Sequence, residues 1–241
     1  PIIFLVQDNE WDISATADEI RANDASYYAR GFKGLEVRSI DGTDFPLCWS
    51  TLNEVIATVR NAADKARLQA EGAEVLVVDV ANPASVSGLA WQLEGEEIDL
   101  ALYVAGVWSD LQADCPPTQE EFDRVMHTNV LGAMQVLPQV APLVAAAGGV
   151  FGLLSSEMSQ LHDAAPDAWL YRTSKAALNM VVASSQGQWP GARIVALDPG
   201  WVQTDMGGPG ATITVEESVQ ALVQTLRQVT AEDSGHLLHR S

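Results

Sequence analysis

From Glu54 onward the chain alternates short, uninterrupted apolar runs with stretches of helical character, and this alternation restricts the fold more than any other feature. Val55 to Val59, Glu74 to Val78, Ile98 to Val104, Val150 to Leu154 and Arg193 to Leu197 each have strand length. Because they are apolar at consecutive rather than alternate positions, they predict strands buried on both faces. The intervening segments predict helices over Ala62 to Ala70, ended by Gly72, and from Pro83 to about Leu93. A third starts at the capping box Thr118-Gln119-Glu120-Glu121 and runs to about Ala147, with Pro138 and Pro142 expected to kink or divide it. A helix carrying Tyr171 to near Gln188 follows, then one from the capping box Thr214-Val215-Glu216-Glu217 to about Val229, and a last strand from His236 to His239. Buried strands joined by helices imply an α/β fold, a doubly wound parallel sheet covered on both faces, as a single domain over 1–241. Pro1 to Val6 reads as a further buried strand and Ser14 to Ala29 as a helix capped by Asp12 or Ser14. From Gly31 to about Asn53 only loops and one short strand, Leu35 to Ile40, are expected.

In such sheets ligands bind at the carboxyl ends of the strands. Asp79, Ala105-Gly106, Ser156 and Pro199-Gly200 all stand there. Tyr171 and Lys175, four apart, share a helix face. The lysine charge is expected to favour the phenolate and lower the phenol from its ordinary value of about 10, making Tyr171 a proton donor and acceptor. A serine from Ser155-Ser156 is placed to hold a carbonyl oxygen beside it. The alternative is a surface Tyr and Lys on an amphipathic helix. Against it, the whole chain holds three lysines, Lys33, Lys65 and Lys175, so one inside a motif is less readily there by chance.

A formal net charge of −19 argues against nucleic acid or an anionic membrane surface as partner. Cys48 and Cys115 are isolated, and His127, His162, His236 and His239 show no metal-ligand spacing, so no metal is expected and a reducing, cytoplasmic compartment fits. His236 and His239 read as structural. Neither a membrane span nor a secretion signal is recognised.

Over roughly residues 54 to 240 the chain resembles the short-chain dehydrogenase/reductase family, in its C-factor-like and carbonyl-reductase-like branch. The matching marks are Asp79-Val80, Ala105-Gly106, Asn129 within Thr128-Asn129-Val130-Leu131-Gly132, Ser155-Ser156, Tyr171-x-x-x-Lys175, and Pro199-Gly200-Trp201-Val202-x-Thr204-Asp205-Met206. The resemblance implies a Rossmann-like sheet and an NAD(P)-dependent oxidoreductase that reduces a carbonyl or oxidises a secondary alcohol. In it Tyr171 is general acid or base, Lys175 supports it and holds the nicotinamide ribose, and Ser156 orients the substrate oxygen. Asn129 holds a proton-relaying water, or else merely satisfies the backbone of a kinked helix. The cofactor-binding positions carried over are Asp79, Val80, Ala105, Gly106, Tyr171, Lys175, Pro199, Gly200, Val202 and Thr204; Pro199-Gly200 is alternatively only a turn. Arg60, just past the second strand, favours NADP over NAD because a guanidinium can pair with a 2′-phosphate, unless it is simply a surface residue at a helix start. The same resemblance implies a homodimer or homotetramer through the helices at 118 to 147 and 166 to 188.

Two departures stand out. Where the family has Asn-Asn-Ala-Gly, this chain has Tyr103-Val104-Ala105-Gly106. Where the family has Thr-Gly-x-x-x-Gly-x-Gly after the first strand, this chain has Gln7-Asp8-Asn9-Glu10-Trp11-Asp12, without glycine and with three carboxylates that would repel a pyrophosphate. Ala29 to Glu36 is only a faint echo of that motif. Residues 1–53 thus form an atypical segment ahead of a family-like 54–240, and two further readings stand beside the oxidoreductase. One is a binding or regulatory protein on the same fold with weakened dinucleotide affinity. The other is an elimination enzyme using Ser156 and Tyr171 without nicotinamide, which leaves Lys175 without its ribose. Trp108, Met158, Trp169, Trp201 and Met206 lie near an apolar pocket or belong to the core.

Overall fold

The computed structural model describes the backbone of Ile2–Leu5 and residues 55–70, 73–162 and 164–240. The helix expected over Ser14 to Ala29, the strand Leu35 to Ile40, and the stretches Gln7 to Asp12 and Ala29 to Glu36 lie outside the described residues. The strands are β1 (Ile2–Leu5), β2 (Val55–Val59), β3 (Glu74–Val77), β4 (Leu100–Tyr103), β5 (Val150–Leu154), β6 (Arg193–Asp198) and β7 (Leu237–His239). They form one sheet in the order β3-β2-β1-β4-β5-β6-β7, and every pairing is parallel. The chain order reverses direction at β1, which pairs with both β2 and β4. That reversal is the switch point at which doubly wound sheets open a ligand crevice.

The helices are α1 (Ala62–Ala70), α2 (Pro83–Val86), α3 (Leu89–Gln92), α4 (Gln119–Met126), α5 (Gly132–Ala147), α6 (Trp169–Ser185) and α7 (Val215–Gln228). Strands β2, β5 and β6 are buried on both faces because their residues feed two cores by turns, whereas Glu74 and Val77 of β3, expected within a buried strand, are exposed. From β5 and β6, Phe151, Leu153, Ile194 and Ala196 join Val136, Val140 and Leu178 of α5 and α6, while Val150, Val195 and Leu197 join Leu226 of α7 and Val229 beyond it. On β2, Val55, Ala57 and Val59 pack with Leu68 of α1.

Two expectations about helices are corrected. The single helix from Pro83 to Leu93 is two short ones separated around Gly88. Pro138 and Pro142 do not divide the third helix: both sit inside a continuous α5. The carbonyls four residues earlier that lose their amide partners belong to Met134 and Pro138, and Met134, Pro138 and Pro142 form an exposed stripe where water can satisfy them. The break falls earlier, at a single π-helical turn, His127–Leu131, joining α4 to α5. Residues Gln119–Ala147 are long and apolar enough to cross a membrane by those measures alone, which the sequence reading had not recognised. Here Val136, Val140 and Val144 are fully buried against the sheet, as in a core helix.

Candidate active site

Tyr171 and Lys175 enter on the first two turns of α6. The helix start is pinned by Ala168, which takes the left-handed conformation (φ 46°) just before it, and by Arg172, whose guanidinium reaches back to Asp167 Oδ1 at 2.7 Å. Both side chains of interest are then buried rather than on a surface. Lys175 Nζ lies 5.6 Å from the centre of the Tyr171 ring and donates to Leu154 O at 2.8 Å, at the carboxyl end of β5. The expectation for the phenol is reversed. Burial pushes Tyr171 above its ordinary value, the Ser156 hydroxyl pulls it back through a hydrogen bond, and the Asp198 carboxylate pushes it up further. Burial also pushes Lys175 down to about 8. Loss of water is the leading cause for both groups, so the resting phenol is protonated.

The two serines divide their work. Ser155 Oγ donates to Asn179 Oδ1 of α6 at 2.6 Å and is buried, so it ties β5 to the helix. Ser156 caps the 3₁₀ turn Glu157–Ser159, its Oγ accepting from Met158 N at 3.1 Å, and its hydroxyl faces Tyr171. Asn179, whose Nδ2 also donates to Ser159 Oγ at 2.7 Å, was not singled out from the sequence.

Asn129 sits in the π turn with no exposed surface. Its Oδ1 accepts from Val107 N at 2.8 Å, and its Nδ2 donates to Val107 O at 3.0 Å and to Ser174 Oγ at 2.8 Å. Ser174 in turn donates to Tyr171 O. The side chain thus splints the loop after β4 to α6, which neither sequence reading of Asn129 anticipated. Ser174 also went unnoticed, although it stands three residues after Tyr171 and on the same helix face.

Position 103, where the family pattern has its first asparagine, makes a different contact. Tyr103, fully buried on β4, extends its hydroxyl to Thr128 O of the π turn at 2.7 Å. The ring fits because residue 132 is glycine: a Cβ there would stand 2.5 Å from the Tyr103 oxygen and 2.8 Å from Val80 O.

Among the other positions, Gly106 faces the Lys175–Asn129 pair, since a Cβ on it would meet Lys175 Nζ at 3.3 Å and Asn129 Oδ1 at 3.7 Å. Ala105 and Val80 are buried, and Asp79 Oδ1 accepts from Ala81 N at the end of β3. Arg60 lies just past β2 with its Nε buried and, among the described residues, without a hydrogen-bond partner. Pro199 O accepts from Ser218 Oγ of α7. Gly200 (φ 77°) makes a turn that a side chain would strain, with Arg240 packed where its Cβ would be. Val202 bridges to Ile213, and the Thr204 hydroxyl caps a turn at Gly207 N. Trp108 tilts over Tyr171 with ring centres 4.6 Å apart, its carbonyl held by Arg124 at 2.6 Å. Trp201 and Met206 are exposed, whereas Trp169 packs with Val107, Val125 and Leu170 and belongs to the core.

The family model described as Enoyl-(Acyl carrier protein) reductase matches residues 52–238. The chain belongs to the short-chain dehydrogenase/reductase family. It is 32% identical over 172 residues to 1-hydroxy-2-glutathionyl-2-methyl-3-butene dehydrogenase of Rhodococcus sp. (strain AD45), covering 67% of this chain and 75% of that protein. To C-signal of Myxococcus xanthus it is 33% identical over 138 residues, covering 55% and 80%. Among solved structures, carbonyl reductase Sniffer of D. melanogaster superposes with a TM-score of 0.70 at 22% identity, over 78% of this chain and 85% of that one. An alcohol dehydrogenase from the archaeon Thermococcus sibiricus, complexed with 5-hydroxy-NADP, does so at 0.69 and 18% identity, over 99% and 95%. The short-chain dehydrogenase/reductase family is one of oxidoreductases, and the Tyr171 cluster occupies the carboxyl edge of this member's sheet.

Proposed function

We propose that the chain is a cytoplasmic NADP-dependent oxidoreductase that reduces a small carbonyl compound, or oxidises the corresponding secondary alcohol, with Tyr171 as general acid or base. The observation that carries this reading is the cluster of half-buried Ser156 with buried Tyr171 and Lys175 at the carboxyl ends of β5 and β6. The described residues suit a dinucleotide. Gly106 puts no side chain beside Lys175, and Arg60 Nε, just past β2 and without a partner among the described residues, offers a donor to a 2′-phosphate. The nicotinamide, when bound, supplies or takes up the hydride.

The chain's own part is the proton. Ser156 Oγ holds the substrate oxygen, and Tyr171 O–H donates its proton there as negative charge develops, or removes one in the oxidative direction. Burial keeps the phenol protonated throughout the neutral range, so the proton is in place when the substrate arrives. The Lys175 ammonium, 5.6 Å from the ring, stabilises the phenolate left behind, and that help fades as pH rises through about 8. Asn129, with its side chain committed to Val107 and Ser174, braces the site in place of holding a water by its amide. Trp108, tilted over the Tyr171 ring, favours a substrate with apolar substituents. Exposed Phe122, Met134 and Met180 on α4, α5 and α6 support pairing through those helices into a homodimer or homotetramer.

Calorimetric titration with NADPH and NADH, followed by turnover of a carbonyl panel, tests the reading. NADPH is expected to bind more tightly, and Tyr171→Phe to keep binding while losing at least about a hundredfold in kcat, the size of a general-acid contribution. Absence of NADPH binding at millimolar concentration would instead support a binding or regulatory protein that has lost the dinucleotide.

A further inference from the structure

At the carboxyl ends of β6 and β7 stands a pair that the proposed chemistry does not use. Asp198 closes β6 and His239 closes β7, directly opposite each other in the parallel register. The Asp198 side chain is 7% exposed, and its two oxygens have separate partners: Oδ1 accepts from Gly200 N at 3.1 Å and Oδ2 meets His239 Nδ1 at 3.0 Å. His239 Nε2 lies 3.1 Å from Gln160 Nε2. The arrangement is satisfied throughout by one tautomer, in which Nδ1–H donates to Asp198 and Nε2 accepts from the Gln160 amide. Gln160 closes the 3₁₀ turn that Ser156 opens, its N–H donating to Glu157 O at 3.1 Å. A continuous line of contacts therefore runs from the end of β7 to the Ser156 turn.

Asp198 also stands beside the Tyr171 cluster: the preceding Leu197 pairs with Leu154 across β5 and β6 and accepts from Ser155 N at 2.7 Å, one residue before Ser156, and from there the carboxylate charge opposes the phenolate. A negative group there works against proton donation, because the phenolate must form beside it. A hydrogen bond to Oδ2 draws that charge toward the β7 edge, and Gly200 N does the same at Oδ1.

Resting on the oxidoreductase reading, we propose that His239 is a positioning residue for proton transfer at Tyr171, acting through Asp198, with Gln160 holding the imidazole in the tautomer that donates to the carboxylate. The role concerns the charge-forming step and not substrate capture, so it predicts a change in kcat with KM preserved.

The experiment uses the full chain with NADPH and whichever of benzaldehyde, ethyl acetoacetate or 9,10-phenanthrenequinone is reduced fastest. His239→Leu is expected to lower kcat about tenfold with KM within about twofold, the effect of one charge-assisted hydrogen bond. His239→Asn, which places an N–H near the Nδ1 position, restores most of the rate. In an Asp198→Asn background His239→Leu loses its effect, since the charge it controls is gone. Gln160→Leu gives a smaller drop with the same preserved KM, and provides an independent reading if Asp198→Asn fails to fold. An unchanged kcat in His239→Leu, an effect confined to KM, no rescue by asparagine, or an equal drop with and without the Asp198 charge overturns this role alone. Wild-type protein that binds NADPH but reduces none of the three, or does not bind it, overturns the role together with the reading beneath it.

Discussion

Replacing Lys175 by methionine should make the protein more resistant to pH change while disabling it. The Lys175 side chain is held almost wholly out of water, 4% exposed, and burial lowers it from 10.5 to about 8. At about 1.36 kcal/mol per pH unit, that separation corresponds to about 3 kcal/mol of destabilisation when the group is forced to carry its charge. The sign follows from proton counting. Between about pH 8 and 10.5 the unfolded chain binds a proton at this lysine that the folded chain has released, so stability rises with pH across that window. Below about 8 both states are charged and the full cost of burial is present; above 10.5 both are neutral and it vanishes. Denaturant unfolding of wild type and Lys175→Met from pH 6.5 to 10.5 isolates the term, because groups remote from Lys175 cancel in the difference and the neighbouring Tyr171, raised by its own burial, stays protonated in the fold of both. The difference, wild type minus variant, should climb by about 3 kcal/mol over that range. The hydrogen bond from Nζ to Leu154 O, lost in the variant, offsets the curves by about 1 kcal/mol without altering their slope difference. Curves that run parallel to within about 0.5 kcal/mol would refute the reasoning, since they would mean an ammonium equally solvated in both states.

Three further outcomes are expected. Tyr103→Phe leaves Thr128 O, in a residue 2% exposed, without its donor, and should cost about 1–3 kcal/mol in denaturant unfolding. Gly132→Ala should cost about 1–3 kcal/mol for overpacking, and only part of it should be recovered in the double variant with Tyr103→Phe, because the contact with Val80 O is to backbone and cannot swing away. In Gly106→Ala the new methyl meets the flexible end of Lys175 at 3.3 Å, so stability should stay within about 1 kcal/mol of wild type while NADPH affinity, followed by calorimetry, falls.

The legible parts of the site are those whose chemistry is local in sequence. Tyr171 and Lys175 are coupled by helix periodicity, and Ser156 and Gly200 follow apolar runs whose carboxyl ends can be read directly. What those residues do to one another was less legible, because it depends on burial. The lysine was expected to lower the phenol by charge, yet desolvation dominates both groups, and desolvation is a property of the assembled core. Asp198 and His239, forty-one residues apart, meet only because β6 and β7 pair in parallel register, so nothing near either residue announces the other.

Position 103 shows how a departure from the family pattern is accommodated at a distance. An asparagine on β4 would be too short to bridge to the π turn by the route that tyrosine takes. The longer side chain reaches Thr128 O, but only because Gly132, one helical turn further on, leaves room for the ring. Tyrosine and glycine therefore act as one device: it holds the turn in which Asn129 clamps Val107 and, through Ser174, the backbone of Tyr171. The tyrosine at 103 is intelligible only when 103, 128 and 132 are considered together, since its bond to Thr128 depends on the missing side chain at Gly132.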